Sequence, residues 1–150
     1  MSQANPIRIF VTHVWERNDD YLRVFEYLES SRNFYYHNCS TPEQAPGGDK
    51  EALKEDLRRQ IATAEAVIGL PSLYQRHREL ATFQLLYAQA CQKPVILMKS
   101  FGAQVAVPKE LADLANELID WDERALVDAV RRQARHEETT RWDVIEFKLD

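Results

Sequence analysis

The residues of this 150-residue chain that could do chemistry follow short apolar runs. Thr12, His13 and Trp15 close IRIFVTHVW, Asn38 and Ser40 close FYYHNCS, and Pro71, Ser72, Tyr74 and His77 follow EAVIGL. Hydroxyls, amides, imidazoles and rings brought together make a polar cleft with aromatic walls, with Trp15 as a ring for base stacking and His13 as a group for proton transfer. Each also has a structural alternative. Thr12 and Ser40 can cap loops, His13 can be a hydrogen-bonded strand-end histidine, Trp15 can serve packing alone, and His77 can cap a helix. One residue stands apart. In HRELATFQLLYAQACQKPV, residues 77–95, a helical advance of about 100° per residue gathers Leu80, Phe83, Tyr87, Ala88 and Cys91 on one side. Gln84 lies in the middle of that apolar side, with Glu79 at its border. A buried amide without a partner costs about 1–3 kcal/mol, so Gln84 must reach backbone groups or the cleft.

These residues need elements to position them. The β-branched run at 7–13 predicts a first strand, and Tyr21, Val24, Phe25 and Leu28 at helical spacing predict a helix capped from Asn18, Asp19 or Asp20. Residues 34–40 read as a second strand, 41–49 as a Pro/Gly-rich loop, and Leu53, Leu57, Ile61 and Ala64 mark a second helix. A third strand at 65–72, the helix carrying Gln84, a fourth strand from Pro94, a helix over 107–117, a fifth strand at 118–121 and a last helix over 122–136 complete the pattern. Strand and helix thus alternate five times. Apolar strands in that rhythm predict a parallel sheet covered on both faces: an α/β, flavodoxin-like, doubly wound fold of strand order 2-1-3-4-5. Ligands of such sheets bind beyond the carboxyl ends of the strands, where Thr12, Ser40 and Gln84 are expected to share one cleft. The domain is expected to span residues 1–136, with 137–150 as an extension. There Ile145, Phe147 and Leu149 alternate with charged residues, predicting an extra strand, a covering arm or a homo-oligomer contact.

Composition narrows the classes. A net charge of −5 argues against nucleic acid as the main partner. Arg131, Arg132 and Arg135 read instead as a solvated helix end that complements the helix dipole. No apolar run reaches the roughly 20 residues of a membrane span, and the first residues lack the pattern of a secretory signal, so a cytoplasmic protein is expected. Cys39 and Cys91 have no metal-ligand spacing and read as two buried thiols. GxGxxG, GxxxxGK[ST] and GxSxG are absent, and no aspartate ends the third strand, where Gly69-Leu70-Pro71 stands.

Taken in order, IFVTHVW, DDY, Asn38-Cys39-Ser40-Thr41-Pro42, Tyr74 with His77, and the QLxxAxxxxKPVI segment resemble the TIR-like family of bacterial Thoeris anti-phage systems, from about residue 7 to residue 134. The resemblance implies a flavodoxin-like fold and action on NAD⁺ as substrate, with no cofactor held permanently. It implies cleavage of the nicotinamide–ribose bond and an ADP-ribose-type signal that activates a separate effector protein. It also implies a key glutamate on the helix after strand three, in a pattern like WxxxE(I/L)xxA.

This chain departs from that pattern. Matching Leu85 and Ala88 to the LxxA step sets Gln84 at the glutamate position and Leu80 at the tryptophan. Using Glu79 instead sets Phe83 where the small alanine belongs. An oxocarbenium-like transition state carries positive charge on the ribose. A glutamine lacks the charge to stabilise it, at a cost on the order of 10²–10³ in rate. Three readings stay open: a TIR-like NAD⁺-consuming enzyme with its acid from Asp19, Asp20 or Glu43; a non-catalytic nucleotide-binding or assembly module; and a nucleoside (deoxy)ribosyltransferase-like enzyme. On the first, Gln84→Glu is expected to raise nicotinamide release.

Overall fold

The structure, a computed structural model, describes residues 1–102 and 105–137. The elements run β1 (Ile7–Val11), α1 (Asp19–Glu29), β2 (Tyr36–Asn38), α2 (Lys50–Ala62), β3 (Ala66–Gly69), a 3₁₀ turn (Pro71–Leu73), α3 (Arg78–Ala90), β4 (Val95–Met98), α4 (Lys109–Ala112), β5 (Glu117–Ile119) and α5 (Glu123–Arg135). The strands form one all-parallel sheet in the order β2-β1-β3-β4-β5, as the alternation of elements predicts. The fold is flavodoxin-like. No helix among the described residues is long and apolar enough to cross a membrane.

Side chains of each strand alternate between two cores. Ile7, Ile9, Val11, Ile68, Ile96 and Met98 pack against α1 and α5, through Tyr21, Val24, Leu28, Leu126 and Val130. Phe10, Val67, Val95 and Leu97 pack against α2, α3 and α4, through Leu57, Ile61, Leu85, Ala88 and Leu111. Helix starts are fixed by side chains that take up free N–H groups. Asn18 accepts from Tyr21 N–H at 3.0 Å, Asp49 from Ala52 N–H at 3.1 Å and Asp122 from Ala125 N–H at 2.8 Å. Gly69 lets α3 approach β3 closely, since a Cβ there would lie 3.1 Å from Leu97 Cδ1 and 3.2 Å from Leu85 Cδ2.

Three local expectations need correction. The helix expected over 107–117 is only Lys109–Ala112. Asn116 draws the chain back to the sheet: its N–H donates to Val95 O at 2.8 Å and its Oδ1 accepts from Val95 N–H at 2.8 Å, so β5 starts at Glu117. The thiols of Cys39 and Cys91 are free but half-buried. The arginines of α5 are engaged with the fold and not merely solvated: Arg132 pairs with Glu117 at 2.6 Å, Arg135 with Glu65, and Arg131 donates to Asn33 O at 3.2 Å. The strand expected at Ile145, Phe147 and Leu149 lies outside the described residues.

Candidate functional site at the strand ends

Strand order reverses between β1 and β3, so a crevice is expected beyond their carboxyl ends. The chain leaves β1 at Val11, and the next two residues are caught by side chains. Thr12 Oγ1 accepts from Leu70 N–H at 3.0 Å, carrying the β1–β3 ladder one step past the last strand residues. Gln84 then takes both backbone groups of His13. Its Oε1 accepts from His13 N–H at 3.0 Å and its Nε2 donates to His13 O at 2.9 Å. Nε2 also donates to Leu80 O at 3.1 Å, and the residue is 0% exposed. Gln84 therefore points inward, as its place on α3 requires, and its bonds all go to backbone.

The His13 ring is buried and its tautomer follows from its partners. Gln60 Oε1 accepts from Thr41 N–H at 3.0 Å and lies 2.9 Å from His13 Nε2, while Gln60 Nε2 donates to Asp56 at 2.7 Å. That oxygen can only accept, so His13 Nε2 carries the proton. Nδ1 then accepts from Trp15 N–H at 3.3 Å. Burial holds the imidazole below its ordinary value of 6.5, although the Gln60 bond and the charges of Asp56 and Glu43 pull the other way. A second closed set joins Asn38, Tyr21 and Ser40. Asn38 Nδ2 donates to Tyr21 OH at 3.0 Å, the Ser40 hydroxyl donates to Asn38 Oδ1, and Tyr21 OH is left to donate to Ser40 Oγ at 2.8 Å. Burial raises the Tyr21 phenol, against the bonds from Ser40 and Asn38.

Trp15 has a left-handed backbone, φ 61°, costly for a bulky residue. Its ring stands edge-on to His13 at 5.0 Å, and its indole nitrogen is buried with no hydrogen-bond partner among the described residues. His77 Nε2 lies 3.1 Å from Glu16 Oε2, close enough for an ion pair but without hydrogen-bond alignment. The Tyr74 hydroxyl donates to Glu110 at 2.5 Å; that bond raises the phenol and lowers the carboxyl.

The predicted residues thus do not all share one cleft. Thr12, His13, Ser40 and Gln84 are buried at the strand ends with half-buried Asn38, held in separate hydrogen-bonded sets, while Trp15 packs on His13 and His77 lies against Glu16. Tyr74 lines an open cleft of about 410 Å³ beside them, together with Asp20, Ser72, Gln75, Ser100 and Phe101. Of the three alternative acids, Asp20 lines this cleft, while Asp19 and Glu43 are exposed and absent from its walls. Gln75, Ser100 and Phe101 were missed by sequence reasoning. Their signal was present: KSFG follows strand four as THVW follows strand one, and the strand-end rule applies to both. A wider hollow of about 720 Å³ lies at the amino ends of the strands, lined by Arg8, Glu65, Lys93 and Asn116, away from the ligand-binding edge of such sheets. Among the described residues no group of three or more His, Cys, Asp or Glu could hold a metal ion.

No protein-family model and no curated protein matches this chain. The fold is similar to the crystal structure of a conserved protein from Enterococcus faecalis V583, at a TM-score of 0.59 and 8% identity, covering 85% of this chain and 99% of that one. At that identity the likeness speaks to the fold alone. Fold and site together define a flavodoxin-like α/β protein with a cleft of mixed polar and apolar walls at the carboxyl ends of its strands.

Proposed function

We propose that this protein is a TIR-like module of bacterial anti-phage signalling that binds NAD⁺ or a related nucleotide at the strand-end cleft without cleaving it at a signalling rate. The observation that carries this reading is the engagement of Gln84. Its amide is fully buried and bonded to the backbone of His13 and Leu80, so it offers no group to a ribose in the cleft. The carboxylate that would stabilise a ribosyl cation is missing from that position, and glutamine there does the work of a neighbouring peptide. The module would hold a nucleotide, or assemble with a partner while holding it, in place of sending a diffusible product to an effector.

A second reading is slow NAD⁺ cleavage with Asp20 as the acid, favoured by the place of Asp20 in the cleft wall. One pair of measurements on the purified chain separates the two: calorimetric titration with NAD⁺ and chromatographic detection of nicotinamide. Saturable binding with no release supports the binding module. Release that disappears in Asp20→Asn moves the assignment to the second reading, and absence of both binding and release overturns both.

A further inference from the structure

We infer that the cleft between the loops after β3 and β4 recognises the nucleoside part of its ligand and leaves the phosphate in solvent. This rests on the reading that the cleft binds a nucleotide. Among the described lining residues Asp20 carries the only charge; no lysine, arginine or histidine faces the ligand space. The guanidinium beside it, that of Arg23, is already committed. Its Nη1 donates to Asp20 Oδ1 at 2.6 Å, and its plane covers the Phe101 ring at 3.5 Å. Helix α1 begins near the cleft, and helix N-termini attract anions. Here, however, the first turn carries Asp19 and Asp20, and Asn18 already caps Tyr21 N–H. A phosphate entering the cleft would meet a carboxylate with no cation left to offset it.

What the walls offer suits a ribosyl heterocycle. Asp20 keeps its second carboxylate oxygen as an acceptor, the group by which acidic residues hold the vicinal hydroxyls of ribose in other doubly wound folds. Ser72 and Ser100 add hydroxyls, Gln75 adds an amide, and the Tyr74 ring with Pro71, Val105 and Pro108 adds apolar wall against which a flat base can pack. A volume of about 410 Å³ falls at the lower end of small-molecule sites, where one nucleoside fits and the rest of a dinucleotide lies outside.

The test is titration calorimetry on the full chain with matched pairs: adenosine against AMP, and nicotinamide riboside against its 5′-phosphate. The expected result is that each nucleoside binds at least as tightly as its phosphate. Affinity should also change less than about twofold between about 50 mM and about 500 mM NaCl, because no exposed charge pair is formed. Asp20→Asn should weaken nucleosides about tenfold, the worth of one charge-assisted hydrogen bond, and should shift preference toward the phosphates by freeing Arg23. Should that variant fail to fold, Ser72→Ala tests the same wall and is expected to weaken both members of each pair alike. Phosphates that bind tenfold or more tightly than nucleosides, with affinity falling as salt rises, overturn the inference and leave the nucleotide-binding reading standing. If no member of either pair binds, both fall together.

Discussion

Gln84 and His13 pair like residues on adjacent strands, although one lies on a helix and bonds through its side chain. The carboxamide presents a carbonyl 3.0 Å from the His13 nitrogen and an N–H 2.9 Å from the His13 oxygen. Beyond Thr12, whose N–H still donates to Ile68 O at 3.0 Å, the chain runs out of partners from β3, and buried peptide groups left unpaired are costly. The helix supplies the missing peptide. A side-chain amide matches a peptide donor for donor and acceptor for acceptor, which a carboxylate cannot do.

Gln84→Glu is therefore expected to lower stability and not to raise NAD⁺ cleavage, contrary to what the sequence alone suggests. Glutamate brings a second acceptor against His13 O and Leu80 O; Leu80 O keeps its helical partner, but the buried His13 carbonyl is left unpaired at about 1–3 kcal/mol. Thermal denaturation beside a nicotinamide-release assay checks this. A variant that melts like the parent and cleaves NAD⁺ briskly would refute it.

His13 should make stability depend on pH near neutrality. Its folded pKa lies below the ordinary 6.5, so in the interval between the two the unfolded chain binds the extra proton. The stabilisation is whole above about pH 6.5 and fades as pH falls toward the folded value. Protonation at Nδ1 would also cost the bond from Trp15 N–H. Urea midpoints should fall between pH 7 and pH 5.5, and the slope in that window should flatten in His13→Phe.

Gly69→Ala should loosen the seat of α3. The new methyl would press on the δ-carbons of Leu85 and Leu97, and overpacking of this kind costs about 1–3 kcal/mol. Gly47→Ala is the control, because nothing lies within 4 Å of a Cβ there. Denaturant midpoints of the two variants should differ clearly; equal midpoints would show that the helix adjusts without cost.

Arg135→Ala should free the end of α5 from the start of the sheet. Arg135 bonds both oxygens of Glu65 and reaches Pro6 O at 3.2 Å; hydrogen bonds to charged groups contribute about 1.5–3 kcal/mol. The bond from Arg135 is the main reason that the Glu65 carboxyl is held low, with help from Arg8 and against burial. The folded pKa lies below the unfolded one, so this stabilisation is present above about pH 4.5 and lost as pH falls through the folded value. The gap in urea midpoint between parent and variant should be wide at pH 7 and should narrow as pH is taken progressively below about 4.5.

The sheet was readable because its strands are β-branched runs of the right length and its helices carry clear apolar stripes. Element ends were less readable, since tertiary bonds set them. Nothing local to THVW reveals that a glutamine 71 residues away closes β1, and nothing in ADLANE reveals that Asn116 will bond Val95. The same gap divides the site. Residue types at strand ends announced a polar cluster, and spacing turned Gln84 inward. Which polar groups would satisfy one another, and which would stay open to a ligand, depends on distances between elements that no single stretch encodes.

The glutamine clamp also has a kinetic signature. The acceptor for the His13 amide proton rides on α3, whereas Ile9 and Val11 lie within the paired strands of the sheet. That proton can exchange with solvent when α3 lifts from the sheet, even while the strands stay paired. In deuterated buffer, its exchange rate should track the amides of α3 more closely than those of Ile9 or Val11, making one backbone position in a strand-end loop a reporter of helix undocking.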